Sequence, residues 1–369
     1  KLGLVDDEHT RTFSGALHKT STGLGLNQAG HVFGHSTRYN LGSSSLGTSA
    51  WVYNGISTVH IGFFDGEHTQ STTGSKTSTA LGMNATGQVY GHSTRYDAGG
   101  IMQGQTAWLF NGGATINVGL IDAEHTSLSG NRNNVAAGFN DLGQVLGRAN
   151  RYQPGTNTAR GFSVWLYDGS TTFKIGLVDG EHTALDDTKS SAATALSESG
   201  KAIGTSGRYQ AGTNNGRGQS AWVYNGTDST KIGLIDAEHT AFAGTDPNND
   251  TQSSTPVRLN NAGHVAGHSS RYAATGTSTI GQSAWFYDGS TTTKIRLFDA
   301  DEHAHSPNGT RTSAVIAMNQ AGKVAGHSTR YNGTSTAGQS AWFYDGSTTT
   351  KIGLFDADEH AHSTNGTRT

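Results

Sequence analysis

One module of about 57 residues is written six times into this chain, and the repetition constrains its fold more than any single motif does. Each copy reads roughly Gly-x-Val-x-Gly-His-Ser-Thr-Arg-Tyr, a loop, Gly-Gln-Ser-Ala-Trp-Phe-Tyr-Asp-Gly, a turn, then Lys-Ile-Gly-Leu-Phe-Asp-Ala-Glu-His-Thr. The chain's 6 tryptophans are Trp51, Trp108, Trp165, Trp222, Trp285 and Trp342, spaced 57, 57, 57, 63 and 57 residues apart. Periods of this size belong to propellers, solenoids or arrays, in which one supersecondary unit cannot bury its apolar face without a neighbour. The 369 residues therefore read as one repeat domain, 1–369, rather than as two or three ordinary domains. Its approximate modules are 13–69, 70–126, 127–183, 184–240, 241–304 and 305–361, with an extra strand in 1–12 and a tail in 362–369.

Within a module the apolar runs are short and bounded by Gly, Asn and Asp, as strands are. In the last copy they are Ser313–Asn319, Lys323–Tyr331, Ser340–Tyr344 and Lys351–Asp356. Four short strands joined by tight turns make one propeller blade. The expected fold is all-β, a propeller of four-stranded blades, with six blades favoured and seven the alternative. The remainder arises because Lys1-Leu-Gly-Leu-Val-Asp6 duplicates Lys351–Asp356, which predicts an extra N-terminal strand. Gly34, Gly91, Gly147, Gly204, Gly267 and Gly326 recur inside the second strand, where a neighbouring blade's aromatic is expected against the backbone. The insertion Gly244–Ser253 in the fifth copy reads as a surface loop.

Composition narrows the function classes. With 6 Trp, 12 Tyr, 13 Phe and a formal charge of −3, the chain has the aromatic content to fold. No basic stripe supports nucleic-acid binding. The absence of cysteine removes disulfides, thiolate zinc sites and iron–sulfur clusters. No apolar run is long enough to span a bilayer as a helix. A chain rich in Gly, Thr and Asn that begins at Lys1 reads as a processed or excerpted extracellular protein.

Three polar groups recur once per module. Glu-His stands at Glu67-His68, Glu124-His125, Glu181-His182 and Glu238-His239, and also at 8–9, 302–303 and 359–360. Arg-Tyr stands at Arg38-Tyr39, Arg95-Tyr96, Arg151-Tyr152, Arg208-Tyr209, Arg271-Tyr272 and Arg330-Tyr331. A strand histidine recurs at His35, His92, His268 and His327. As ligand-binding residues, the carboxylate and the arginine fork would grip sugar hydroxyls while tyrosine stacks on the ring, one site per blade. As structural residues, they would satisfy buried groups where blades meet, like the Trp, Asp, His and Ser/Thr set of WD40-type propellers, whose signatures this chain lacks. Because every copy carries the groups, the structural reading leads, and an enzyme with one asymmetric constellation is disfavoured.

Hard oxygens beside imidazoles would suit a divalent metal such as calcium. The doubled histidines Asp301, His303, His305 and Asp358, His360, His362 are the local candidates, alternate residues sharing a strand face. No other cofactor is expected. Were all 17 histidines to protonate together, the formal charge would move from −3 to +14, a lever on self-association near pH ~6.5.

The strings Met83-Asn84 through Ser93 with Ala107-Trp108, and Met318-Asn319 through Ser328 with Ala341-Trp342, resemble the HAF-type extracellular repeat of bacterial proteins. That resemblance implies secretion or surface display, a propeller-like fold and no general catalytic activity. It leaves the Asp-x-Glu-His-Thr and Ser-Thr-Arg-Tyr additions unexplained. The reading is a non-catalytic structural or adhesive surface component that self-associates, with an unpaired strand as one route to assembly. A multivalent lectin for a cell-surface glycan is the alternative.

Overall fold

The computed structural model describes residues 2–40, 44–242, 250–274, 276, 278–297, 300–304 and 309–353. The chain is all-β and built of four-stranded antiparallel blades of the β-propeller kind. It forms two compact units, Lys1–Ile175 and Gly176–Thr369. The described part of each unit contains three such sheets.

In the first unit the strands are Ser21–Leu26, Val32–Tyr39, Ser45–Tyr53 and Thr58–Ile61, then Lys76–Met83, Val89–Tyr96, Met102–Phe110 and Thr115–Asn117, then Arg132–Phe139, Val145–Tyr152, Ala159–Tyr167 and Thr172–Ile175. In the second they are Lys189–Leu196, Ala202–Tyr209, Gly216–Tyr224 and Ser229–Ile232, then Asp250–Leu259, Val265–Tyr272, Thr279–Tyr287 and Thr292–Lys294, then Arg311–Met318, Val324–Asn332, Ser335–Tyr344 and Thr349–Ile352. Each sheet is a meander, so its second and fourth strands finish at the same end.

The strand glycine sits opposite the tryptophan in every sheet, from Gly34↔Trp51 to Gly326↔Trp342. A Cβ built on Gly34 would stand 2.6 Å from Trp51 Cζ2. The aromatic over each glycine thus comes from the adjacent strand of the same sheet, which corrects the expectation of a neighbouring blade's ring. The same ring also belongs to a core cluster shared with the preceding sheet. Trp108 packs on Ala50, Val52 and Ile61 of the preceding sheet, and Trp342 on Ala284, Phe286 and Ile295. Each tryptophan is at most 1% exposed. Burial of this kind removes on the order of 200 Å² per ring from water, an upper contribution of about 5 kcal/mol.

Turn side chains tie consecutive sheets a second time. Asn27 Nδ2 donates to the carbonyls of Asn84 and Ala85, each at 3.2 Å, and Asn260 Nδ2 donates to that of Gln320 at 3.1 Å.

Three expectations change. Residues 2–6 are not a strand: Leu4 N–H donates to Ser36 Oγ at 3.0 Å, as Phe63 N–H donates to Ser93 Oγ at 3.0 Å. The segment is therefore the connector that leads into the first sheet, and the second unit opens on the same element at Gly176-Leu177. Residues 354–369, which begin with a repeat of this connector, lie outside the described residues, as do 244–249 of the predicted insertion loop. Asp250 to Ser253 of that loop belong to a strand. The hairpin Arg11–Phe13 with Ala16–His18 was not expected; its turn residues Ser14 and Gly15 have φ of 51° and 79°.

Candidate functional site

Three connectors start where the fourth strand must turn away from its sheet, at a glycine with φ between 93° and 107° (Gly62, Gly176, Gly233) that only a residue lacking Cβ adopts freely. The next residue anchors on the second strand: Leu177 N–H donates to Ser206 Oγ and Leu234 N–H to Ser269 Oγ, both at 3.1 Å. An aspartate then caps a single 3₁₀ turn. Asp65 accepts from His68 N–H at 3.2 Å and from the same residue's Nδ1 at 2.7 Å. The histidine is thereby folded under the connector. His9, His68, His125, His182, His239 and His303 are all 3% exposed or less.

The far side of the imidazole meets the third strand. His68 Nε2 pairs with Thr106 Oγ1 and His125 Nε2 with Ser163 Oγ, both at 2.9 Å. Asp122, His125 and Ser163 thus stand in the order used to activate a serine nucleophile. Here, however, His125 is fully buried and Ser163 is 9% exposed, so the relay faces the interior. Burial lowers the pKa of His125 and His239, only partly opposed by their aspartates, and keeps these rings neutral.

The neighbouring glutamate closes the end of the sheet. Glu124 accepts from Arg151 Nε at 3.0 Å and from Lys174 Nζ at 2.6 Å. Glu181 pairs likewise with Arg208 and Lys231, Glu238 with Arg271 and Lys294, and Glu302 with Arg330 and Lys351. Glu67 takes Arg95 and Arg132, and Arg38 pairs with Glu8 at 3.1 Å. Burial alone would raise the Glu124 and Glu238 carboxyls, but the lysine and arginine partners override it and hold both at about 2. The guanidinium nitrogens left over donate to main chain: Arg95 NH1 to the carbonyls of Gln103 and Gly130 at 3.0 and 3.1 Å, and Arg271 NH1 to that of Gly309 at 3.0 Å.

The predicted ligand-binding residues therefore come together, but with one another. Arg38, Arg95, Arg151, Arg208, Arg271 and Arg330 are 8% exposed or less. Tyr152 and Tyr272 are buried, while Tyr39, Tyr96, Tyr209 and Tyr331 are half-buried. Of the metal candidates, His303 is buried in a one-turn helix, nothing is described of the Asp301 side chain, and His305, Asp358, His360 and His362 lie outside the described residues. Ligand-type atoms do cluster within 4.8 Å at Asp122, Glu124 and His125, and in the two equivalent triplets that follow. Their glutamates already accept from an arginine and a lysine. The fourth-strand lysine was the partner that the sequence reading missed, and its signal was the Lys-Ile pair that recurs at 174–175, 231–232, 294–295 and 351–352.

No family model matches the chain, and no curated protein is similar to it. Among solved structures, the β-propeller domain of the Trilobed protease from Pyrococcus furiosus is similar at 10% identity, covering 91% of this chain and 84% of that one with a TM-score of 0.37. A Pyrococcus horikoshii acylaminoacyl peptidase matches at 10% identity and TM-score 0.37 over 91% of this chain, which spans 46% of the peptidase. The Aleuria aurantia lectin matches at 10% identity and TM-score 0.26, with 89% and 92% of the two chains covered. No residue role is carried over from any of them.

One surface feature stands beside the network. Among the described residues, the one before the capping aspartate is apolar and turned outward in five connectors: Val5, Phe64, Ile121, Val178 and Ile235 are 38–60% exposed. Leu185, just after the 3₁₀ turn at Gly180–His182, and Leu128 and Phe242, after the equivalent turns of their modules, are exposed as well.

Proposed function

We propose that the chain is a non-catalytic interaction scaffold, a structural or adhesive component displayed outside a bacterial cell. The observation that carries this reading is the exposed apolar side chain at one fixed connector position: Val5, Phe64, Ile121, Val178 and Ile235. A single apolar residue in water is ordinary; the same one left exposed in successive copies, beside a polar network that is internally paired, marks a contact surface. Equal weak contacts on rigid modules act through avidity. The histidines and arginines that an enzyme or a lectin would use are buried in the blades, and their glutamates are ion-paired to those arginines. The extracellular placement rests on composition and on the HAF-type resemblance.

The multivalent lectin receives less support, because its expected sugar-gripping arginines are buried. The test is a triple variant, Ile121→Asn, Val178→Asn and Ile235→Asn. Its unfolding midpoint should match the wild type, while adsorption to an alkyl-coated surface and self-association at high concentration should both fall. Undiminished adsorption and self-association would overturn the proposal, and specific hits on a glycan array would favour the lectin.

A further inference from the structure

The ion-pair network changes in the first module. In modules three to six a fourth-strand lysine meets the connector carboxylate: Lys174 with Glu124 at 2.6 Å, Lys231 with Glu181 at 2.9 Å, Lys294 with Glu238 at 2.6 Å, and Lys351 with Glu302. Each of these lysines stands opposite the sheet's tryptophan. In the second module that position is Asn117, and Arg132 reaches Glu67 instead, at 3.1 Å. In the first module it is His60, opposite Trp51. His60 lies against the Phe64 ring, at 4.0 Å between centroids. Burial, reinforced by the nearby His9 and Arg38, lowers its pKa to about 4, so it brings no charge to Glu8 at neutral pH.

Glu8 is left with Arg38 as its ion-pair partner among the described residues, and its side chain is 55% exposed, against 24% for Glu124. It opens on a surface cavity of about 560 Å³, lined by Asp7, Glu8, Arg11, Leu17 and Tyr39 among others. One wall is the Arg11–His18 hairpin. The Tyr39 face already accepts a cation, since the Arg11 guanidinium carbon lies 5.1 Å from its centroid. With Arg11 held on the Tyr39 face, the carboxylates of Asp7 and Glu8 and the Leu17 side chain are left to line a place for a positive charge on a short apolar stem.

We propose that this cavity binds a primary alkylammonium group, as carried by a lysine side chain, which gives Glu8 the partner that lysine gives its counterparts in four other modules. The ammonium pairs with Glu8 and Asp7, and its methylenes lie on Leu17. The site is independent of the exposed apolar positions and goes beyond the scaffold reading.

The test is ligand-observed NMR on the full chain with Nα-acetyl-lysine methylamide as probe and its Nε-acetylated form as the uncharged control. Wild-type protein should give saturable binding of the charged probe in the range of about 1 mM, and none of the control. His60→Lys installs the pair that four modules already carry, so it should fold at least as stably and weaken binding roughly tenfold or more. Glu8→Gln should weaken it similarly. The proposal is overturned if wild-type protein shows no saturable binding, if both probes bind alike, or if His60→Lys binds as well as the wild type. Should Glu8→Gln fail to fold, the His60→Lys result decides.

Discussion

Glu124 and Arg151 meet across the end of one sheet: Arg151 Nε donates to Glu124 Oε1 at 3.0 Å, and a terminal guanidinium nitrogen donates to the same oxygen. The arginine is 1% exposed, whereas Lys174 on the other carboxylate oxygen has a side chain 49% exposed. The two cations should therefore differ in weight. Removing Arg151 leaves a half-buried carboxylate and unpaired main-chain carbonyls, including that of Arg160, which accepts from NH1 at 3.0 Å. Arg151→Ala should cost about 3–5 kcal/mol, and Lys174→Ala less than about 1 kcal/mol. Urea denaturation of both variants checks the ranking.

Acid should unfold the chain through these same groups. Glu124 and Glu238 sit at about 2 in the folded protein against an ordinary 4.5, so the stability they contribute is complete above pH ~4.5 and is lost as pH falls toward ~2. The buried His125 and His239 and the half-buried His92 and His268, lowered from an ordinary 6.5, act in the same direction. Below pH ~6.5 the unfolded chain takes up protons that the folded one refuses. Thermal melts from pH 7 to pH 3 should show a midpoint that falls throughout. These rings also will not join a charge reversal near neutrality, so a zeta-potential titration between pH 7 and pH 6 should move well short of the swing from −3 to +14.

Gly147 shows how little room the Trp–Gly contact leaves. A Cβ there would overlap the Trp165 ring. Gly147→Ala should therefore cost about 3 kcal/mol and alter near-ultraviolet circular dichroism, since the ring cannot move without disturbing the Ala107, Leu109 and Val118 cluster.

Equivalent serines should respond unequally. Ser163→Ala deprives the buried His125 Nε2 of its partner and should cost about 1–3 kcal/mol. In the next module His182 Nε2 and Ser220 Oγ are buried without a hydrogen bond, so Ser220→Ala should be nearly neutral. Denaturation midpoints of the two variants, measured side by side, separate the cases.

The parts of the fold legible in the sequence were those set by local chemistry repeated in register. Trp51 and Gly34 recur together because each needs the other, and the Asn27 turn recurs because its amide joins two sheets. What the letters hid was partner-dependent. Lys1-Leu-Gly-Leu has the wording of a fourth strand, yet His60 is in a strand because Trp51 pairs with it, and no tryptophan-bearing strand pairs with residues 2–6. The site was hidden in the same way. Glu-His and Arg-Tyr were visible as recurring groups, but only the fold places Glu124 against Arg151 and Lys174 and so engages them with one another. The Arg11–His18 hairpin did have a signal, the Ser14-Gly15 pair between two apolar residues.

The central claim is that the repeated Glu–Arg set is an internal network. A double-mutant cycle on Glu124→Gln and Arg151→Met, read by urea denaturation, tests it most directly. The claim predicts a coupling energy above about 1 kcal/mol, with each single variant destabilised. Single variants as stable as the wild type, with no coupling between them, would contradict it and return these residues to the role of a surface site.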